Sequence, residues 1–399
     1  MTILELFYRF LILGCISFGG PAAHIGYFRQ QFVEKRQWMN DDAYSKLLAL
    51  CQFLPGPASS QVGFGIGYQR AGLFGGIAAF IGFTLPSLLL MLGFAHFSAL
   101  DAQADWLDKL IHGLKLLAVV VVADAVLGMF KSFCKDWVTI AISVAVMVAM
   151  LFAPHYLTQI IAMLIAAGIG AALLKPKENE ISAKQQDEPQ GEPQANNPVQ
   201  LAPLLLFGLI LLAGWIFSQP SHAAKLFHDF FQAGSLVFGG GHVALPLLAQ
   251  TLGEQIGEDR ILTAYAAAQA VPGPMFTMAS FLGADLSANQ GVISGISGGI
   301  IATLGIFLPG FLLVLAFWNY WQNLLAKPTV TAAVAGVNAA VVGLLLSAFV
   351  QPVLLSAIHH WLDAILVIIG FVVLRFLKPP ILVLVAAFIA AGFVLPEVI

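Results

Sequence analysis

The sequence predicts an all-α polytopic membrane protein built from two inverted copies of one unit, and three observations predict it. Of 399 residues, 59% are hydrophobic and only 10% charged, with a mean hydropathy of +0.88. A soluble domain carries roughly 25% charged residues. Several apolar stretches reach the ~20 residues that a ~30 Å hydrocarbon core requires, and runs such as Leu116 to Leu127 lack the alternation of barrel strands. Finally, the chain repeats itself.

The duplication is read from ordered anchors. Gly14 and Phe18 return 220 residues later as Gly234 and Phe238. Gln52 and Pro55-Gly56-Pro57 return 217 later as Gln269 and Pro272-Gly273-Pro274. Thr84-Leu85-Pro86 matches Phe307-Leu308-Pro309 at 223, an offset that also relates Gly113 to Gly336.

In chain order, residues 3–19 are apolar and stop at Gly19-Gly20-Pro21, where proline closes one helix and opens the next. Residues 22–38 then complete a broken or re-entrant helix pair. A second such pair spans 42–54 and 58–68 around Pro55-Gly56-Pro57. Four fuller spans follow near 71–97, 107–130, 137–153 and 156–174, closing a first repeat over 1–174. Residues 175–200 are rich in Lys, Glu, Gln, Asn and Pro, the composition of a solvated linker. One span without a counterpart, 201–218, reverses the side from which the second repeat, 219–399, begins. That repeat supplies broken pairs at 227–252 and 262–283 and spans near 291–318, 329–350, 361–377 and 380–396.

Charge supports the inversion. The loop around Arg29, Lys35, Arg36 and Lys46 is basic, whereas the matching loop around Glu254, Glu258, Asp259 and Arg260 holds one base. The positive-inside rule makes the first cytoplasmic and the second external. Counting spans then places Arg70, Lys131, Lys135, Lys175, Lys177, Lys327, Arg375 and Lys378 inside, and Asp101, Asp105 and Asp108 outside.

Inverted repeats with interrupted helices are a transporter plan, with substrate held where half-helix ends meet near the midplane. Half-helices starting at Gly20, Pro57, Gly240 and Pro274 present unpaired N–H groups and the positive dipole end, which favour an anion. Gly19, Gly20, Gly239, Gly240 and Gly241 permit close backbone approach, and Ser59, Ser60, Thr277 and Ser280 add hydroxyls. His24 and His242 follow the glycine breaks as candidate substrate contacts or proton carriers. Lys115 and Asp124 are ionisable groups inside a span, which marks them for charge or ion coupling, and Arg9 is a possible partner for the anion. Glu5 with Arg9, and Lys225 with Asp229, have the spacing of local helix pairs. Gly291, Gly295 and Gly299, matched by Gly72 and Gly76, form a small-residue stripe for close helix contact. Cys15, Cys51 and Cys134 lack metal spacing and serve as packing residues. No cofactor, no metal and no nucleic acid are expected, and no cleavable leader, because Glu5 and Arg9 interrupt the first apolar stretch.

These paired motifs, Phe18-Gly19-Gly20-Pro21 with Phe238-Gly239-Gly240-Gly241-His242 and Pro55-Gly56-Pro57 with Pro272-Gly273-Pro274, resemble the chromate ion transporter family in its long, two-domain form. The resemblance covers both repeats. It implies export of chromate across the bacterial cytoplasmic membrane by two oppositely oriented halves. The breaks themselves, independently of the resemblance, make Pro21, Pro55, Gly56, Pro57, Pro272, Gly273 and Pro274 candidate substrate-site residues. The residues alone reach an anion, not chromate; sulfate has the same tetrahedral shape and charge. The oxyanion, the lipid bilayer and a second copy of the chain are the candidate partners. A different class is also on offer: Gly295-Ile296-Ser297-Gly298 looks like the serine motif of rhomboid proteases, with His359 and His360 two spans on.

Overall fold

The structure is a computed structural model describing residues 2–18, 20–100, 105–174, 199–216, 221–238, 241–320 and 327–394. Gly19, Gly239 and Gly240, the charges at 101, 175 and 177, and nearly all of the linker lie outside the described residues. Every described regular element is a helix.

The first repeat comprises α1 (Ile3–Ile16), α2 (Gly20–Phe28, extended by a π turn Arg29–Lys35), α3 (Asp41–Phe53), α4 (Ala58–Leu100), α5 (Asp105–Phe133), α6 (Trp137–Phe152) and α7 (Tyr156–Leu173). After α8 (Leu201–Ile216) come α9 (His222–Ser235), α10 (Ala244–Ile256), α11 (Glu258–Ala270), α12 (Met278–Ser287), α13 (Val292–Phe317), α14 (Pro328–Ala348), α15 (Trp361–Val372) and α16 (Ile381–Val394). Four helical stretches, Ala58–Ser98, Asp105–Phe133, Val292–Phe317 and Pro328–Leu354, are long and apolar enough to cross a membrane. The protein is an integral membrane protein.

The predicted breaks fall where proline and glycine require them. Helix α3 is opened by Asn40, whose side chain accepts from Ala43 N, and ends at Leu54 before Pro55. The expected leg 58–68 and span 71–97 join as one helix bent at Ala71 and Gly72, the latter at φ +61°. Here the glycine stripe needs correction. Gly72 and Gly291 (φ +105°) are turn residues with no neighbour a Cβ would meet. Gly76 against the Phe64 ring and Gly299 against the Ser280 carbonyl do make close helix contact, and Gly295 only an ordinary one.

The two repeats interlock by exchange. Helix α5 packs against α15 and α16 of the second repeat, and its counterpart α14 packs against α6 and α7 of the first. The glycines at offset 223 make this possible: a Cβ on Gly113 would strike the Phe388 carbonyl, and one on Gly336 the Ala166 carbonyl. Within each repeat α1 and α9 seat identically, Gly14 on the Phe83 carbonyl of α4 and Gly234 on the Ile306 carbonyl of α13. His112 meets Asp363 at 3.0 Å and Arg375 meets Asp124 at 3.2 Å. Both pairs are 251 residues apart, so α5 and α15 run side by side in the same direction.

Candidate functional site

The site is built from the four breaks. Val237, at the end of α9's repeat arm, offers its carbonyl to Gly56 N at 2.7 Å. Ser17, in the equivalent place after α1, offers its carbonyl to Gly273 N at 2.9 Å. Each Pro-Gly-Pro loop is therefore bound to the glycine break of the other repeat, and all four breaks meet at one junction. Gly56 and Gly273 sit at φ +129° and +100°, a region closed to most side chains. A Cβ on Gly56 would lie 2.8 Å from Gly310 Cα, and one on Gly273 would lie 2.8 Å from Ser87 Oγ. Gly310 and Ser87 are themselves repeat equivalents, so the exchange extends into α13 and α4, next to Pro309 and Pro86.

The half-helix ends differ from expectation in detail. Helices α2 and α4 open at Gly20 and Ala58, close to the expected starts, whereas the second-repeat legs open as 3₁₀ turns, Gly241–Val243 and Met275–Thr277. Met275 lies between the breaks, its sulfur 3.6 Å from where a Cβ on Gly20 would be and 3.4 Å from one on Gly241.

The side chains separate into satisfied and unsatisfied groups. His24 is fully buried: its Nε2 donates to the Ser17 carbonyl at 3.1 Å, and its Nδ1 stands 3.5 Å from Ser59 Oγ. A carbonyl only accepts, so Nε2 carries the hydrogen and the neutral ring accepts from Ser59 at Nδ1. His242 Nδ1 pairs with Tyr265 OH at 2.7 Å. Thr277 Oγ1 donates to the Pro274 carbonyl, and Ser280 shares a hydrogen bond with Thr303 between α12 and α13. Against these, Ser17 Oγ and Ser60 Oγ are buried without a protein partner, in residues 0% and 3% exposed. Buried polar atoms are otherwise almost always hydrogen-bonded, so these two hydroxyls are free to donate to a ligand. No lysine or arginine makes a hydrogen bond in the junction contacts described, and Asp124 acts on His242 there, so attraction for an anion would have to come from N–H groups and helix dipoles.

Sequence reasoning missed Ser17, Gln61 and Met275. Gln61, fully buried, donates to the Pro55 and Gly310 carbonyls at 3.0 and 3.1 Å and ties the first loop to α13. Ser17 was legible as the polar residue before Phe18; nothing in the sequence singled out the other two.

Of the charged candidates, Asp124 acts electrostatically on His242. Lys115 is paired with Asp259, and Asp124 with Arg375. Arg9, two turns before the first break, keeps a buried Nε without a partner, and Glu5 meets Arg36 at 3.9 Å instead of Arg9. The Lys225–Asp229 helix pair is present at 3.1 Å. The serine-protease arrangement is not assembled: Ser297 bonds back to the Ser294 carbonyl, while the His359 ring stacks on His112 and His360 caps α15.

The profile of the chromate transporter family matches residues 4–171 and 224–393, both repeats and neither the linker nor α8. The chain belongs to the chromate transporter family. It is 26% identical over 350 residues to a probable chromate transport protein of Synechococcus elongatus, covering 87% of this chain and 83% of that one. Chromate transport proteins of Pseudomonas aeruginosa (26%, 86% and 80% covered) and Cupriavidus metallidurans (25%, 88% and 82% covered) are similar to it over nearly the same extent. No solved structure matches. The family boundaries enclose all four breaks, including the two reciprocal loop contacts.

Proposed function

We propose that this family member is a secondary transporter that exports chromate across the bacterial cytoplasmic membrane, holding the tetrahedral dianion at the junction of the four breaks. The observation that carries the reading is the reciprocal pair Gly56–Val237 and Gly273–Ser17, which draws half-helix ends from both repeats together beside two unpartnered buried hydroxyls. The bound anion would be taken by first-turn N–H groups of the half-helices that open at Gly20, Ala58, Gly241 and Met275 and by the hydroxyls of Ser17 and Ser60, while the N–H groups of Gly56 and Gly273 hold the loops together and Ser59 holds His24 in place. Gly19, Gly239 and Gly240 belong to the same proposal on sequence grounds.

Opposed orientation of the repeats is part of the proposal. Its support is the charge asymmetry of the two loops together with the shared direction of α5 and α15. The chain turns back between α5 and α6 over a short loop, so α15, which corresponds to α6, would run against its own counterpart. The linker would then face the cytoplasm.

Purified protein in liposomes tests this by labelled chromate and sulfate flux under an imposed pH gradient or voltage. Chromate flux competed by sulfate is expected. Flux of sulfate without chromate would replace the substrate, and chromate export driven by voltage alone would remove any proton role for Asp124, His24 or His242.

A further inference from the structure

Helices α11 and α3, equivalent in the two repeats, are held by different chemistry. Helix α11 is drawn onto the first repeat by ion pairs at its first turn: Asp259 binds Lys115 of α5, and Arg260 binds Asp285 at 2.6 Å while donating to Ser98 of α4 at 3.0 Å. The Arg260 guanidinium also lies over the Phe281 ring, 4.7 Å from its centre. The equivalent positions of α3 and α14 hold different chemistry. Asp42 stands where α11 has Asp259, but pairs with Lys46 of its own helix at 2.7 Å. Ala43 replaces Arg260, and Asn338 replaces Lys115, its amide oxygen buried without a partner. Asn338 lines a cavity of about 520 Å³ between the α5–α6 turn, the end of α7 and α14. Helix α3 packs mainly on α4 and the π turn, while α11 packs on α5, α10 and α12 and touches α16.

We propose that Lys115–Asp259 and Arg260–Asp285–Ser98 form a gate of the transport cycle on the α11 side, closed in this structure. The inference rests on the opposed-repeat transport reading above. In a transporter of that plan, access alternates by moving one bundle against the other about a fixed site. A charged clasp at the first turn of α11 then holds that side shut in the resting protein. Opening the α11 side must separate Asp259 from Lys115 and Arg260 from Ser98, because both bonds bridge the repeats.

The test uses the full chain with Cys15, Cys51 and Cys134 replaced by serine. Lys115→Cys and Asp259→Cys are introduced together and bridged in liposomes by a short reducible bifunctional thiol reagent. Chromate flux is expected to fall roughly tenfold or more and to return once the bridge has been reduced and the reductant washed out before chromate is added; flux unchanged by the bridge overturns the gate. A second measurement does not depend on substrate. Thr263, 2% exposed and one turn inside Asp259, is replaced as Thr263→Cys and labelled by an impermeant maleimide from the α11 side. Asp259→Asn is expected to speed labelling about fivefold, and the exchange Lys115→Asp with Asp259→Lys to restore slow labelling. Labelling indifferent to Asp259→Asn overturns the proposal. Labelling that responds in a protein without chromate flux would sustain the gate and remove the substrate reading instead.

Discussion

Helices α3 and α11 hold equivalent places in the two repeats, yet one is wrapped by protein and the other is not. Every residue of α11 from Ile261 through Gln269 is buried, whereas α3 buries only Tyr44, Leu47, Leu50 and Cys51. Gln269 is 8% exposed, while its counterpart Gln52 is exposed. The sequences explain the difference. Ala264, Ala266, Ala267 and Ala268 give α11 small surfaces on all sides, so neighbouring backbones can approach all round. In α3 the large residues share one face and leave Ser45 and Lys46 on the other. Duplication has thus kept the junction geometry in both copies while letting the surroundings of each diverge.

The strongest test of that comparison is at the loop glycines. Gly56→Val places a β-branched residue at φ +129° with its Cβ against backbone at Gly310, whereas Gly273→Val first meets the movable Ser87 hydroxyl. A destabilisation of roughly 3–5 kcal/mol is expected for the first and about 1–3 kcal/mol for the second, with chromate flux lost in both. Thermal unfolding in detergent and liposome flux measure these. Equal stability losses would mean that the loops are packed alike and that the different neighbours, Gly310 and Ser87, do not matter.

A smaller loss is expected at the interlock. Gly113→Ala and Gly336→Ala each force a methyl against a carbonyl of the opposite repeat, costing about 1–3 kcal/mol, with the KM for chromate unchanged. A change in KM without a change in thermal stability would move these glycines from packing to the site.

Ser60 and Thr277 sharpen the comparison further because they are repeat equivalents with opposite states. Ser60→Ala is expected to raise KM roughly 5–10-fold, the worth of about one hydrogen bond, while Thr277→Val lowers stability by about 1 kcal/mol and leaves KM alone. The reverse result would assign the anion to the second repeat's hydroxyl. Least of all, Asp229→Asn should cost about 0.3–0.5 kcal/mol through its exposed helix pair, and Asp124→Asn under about 1 kcal/mol through its half-exposed bond to Arg375. Abolished flux with intact folding in Asp124→Asn would make that carboxylate part of ion coupling.

Much of the architecture was legible in the chain because proline and glycine act locally. Pro55, Pro57, Pro272 and Pro274 fix where helices stop, and the described spans fall within a few residues of the apolar stretches. The glycine stripe was only partly legible, since Gly72 and Gly291 serve as turns, a role set by backbone dihedrals that residue type does not reveal. Of the candidate site, the breaks were legible as breaks. That Ser60 stands unpartnered while Thr277 and Ser280 are satisfied depends on neighbours 3 to 23 residues away. The partners of Lys115 and Asp124 lie in the other repeat, beyond any local pattern.

By itself the sequence determined a duplicated, membrane-buried helical chain with paired interruptions, because hydrophobicity, proline and glycine impose those features on each segment without reference to the rest. Only the tertiary structure decided that each Pro-Gly-Pro loop binds the opposite repeat's break and that α5 and α14 exchange partners. Hydrogen bonds such as Gly56 N to the Val237 carbonyl join segments far apart in the chain, and such pairings are selected by whole-molecule packing, not by the residues on either side.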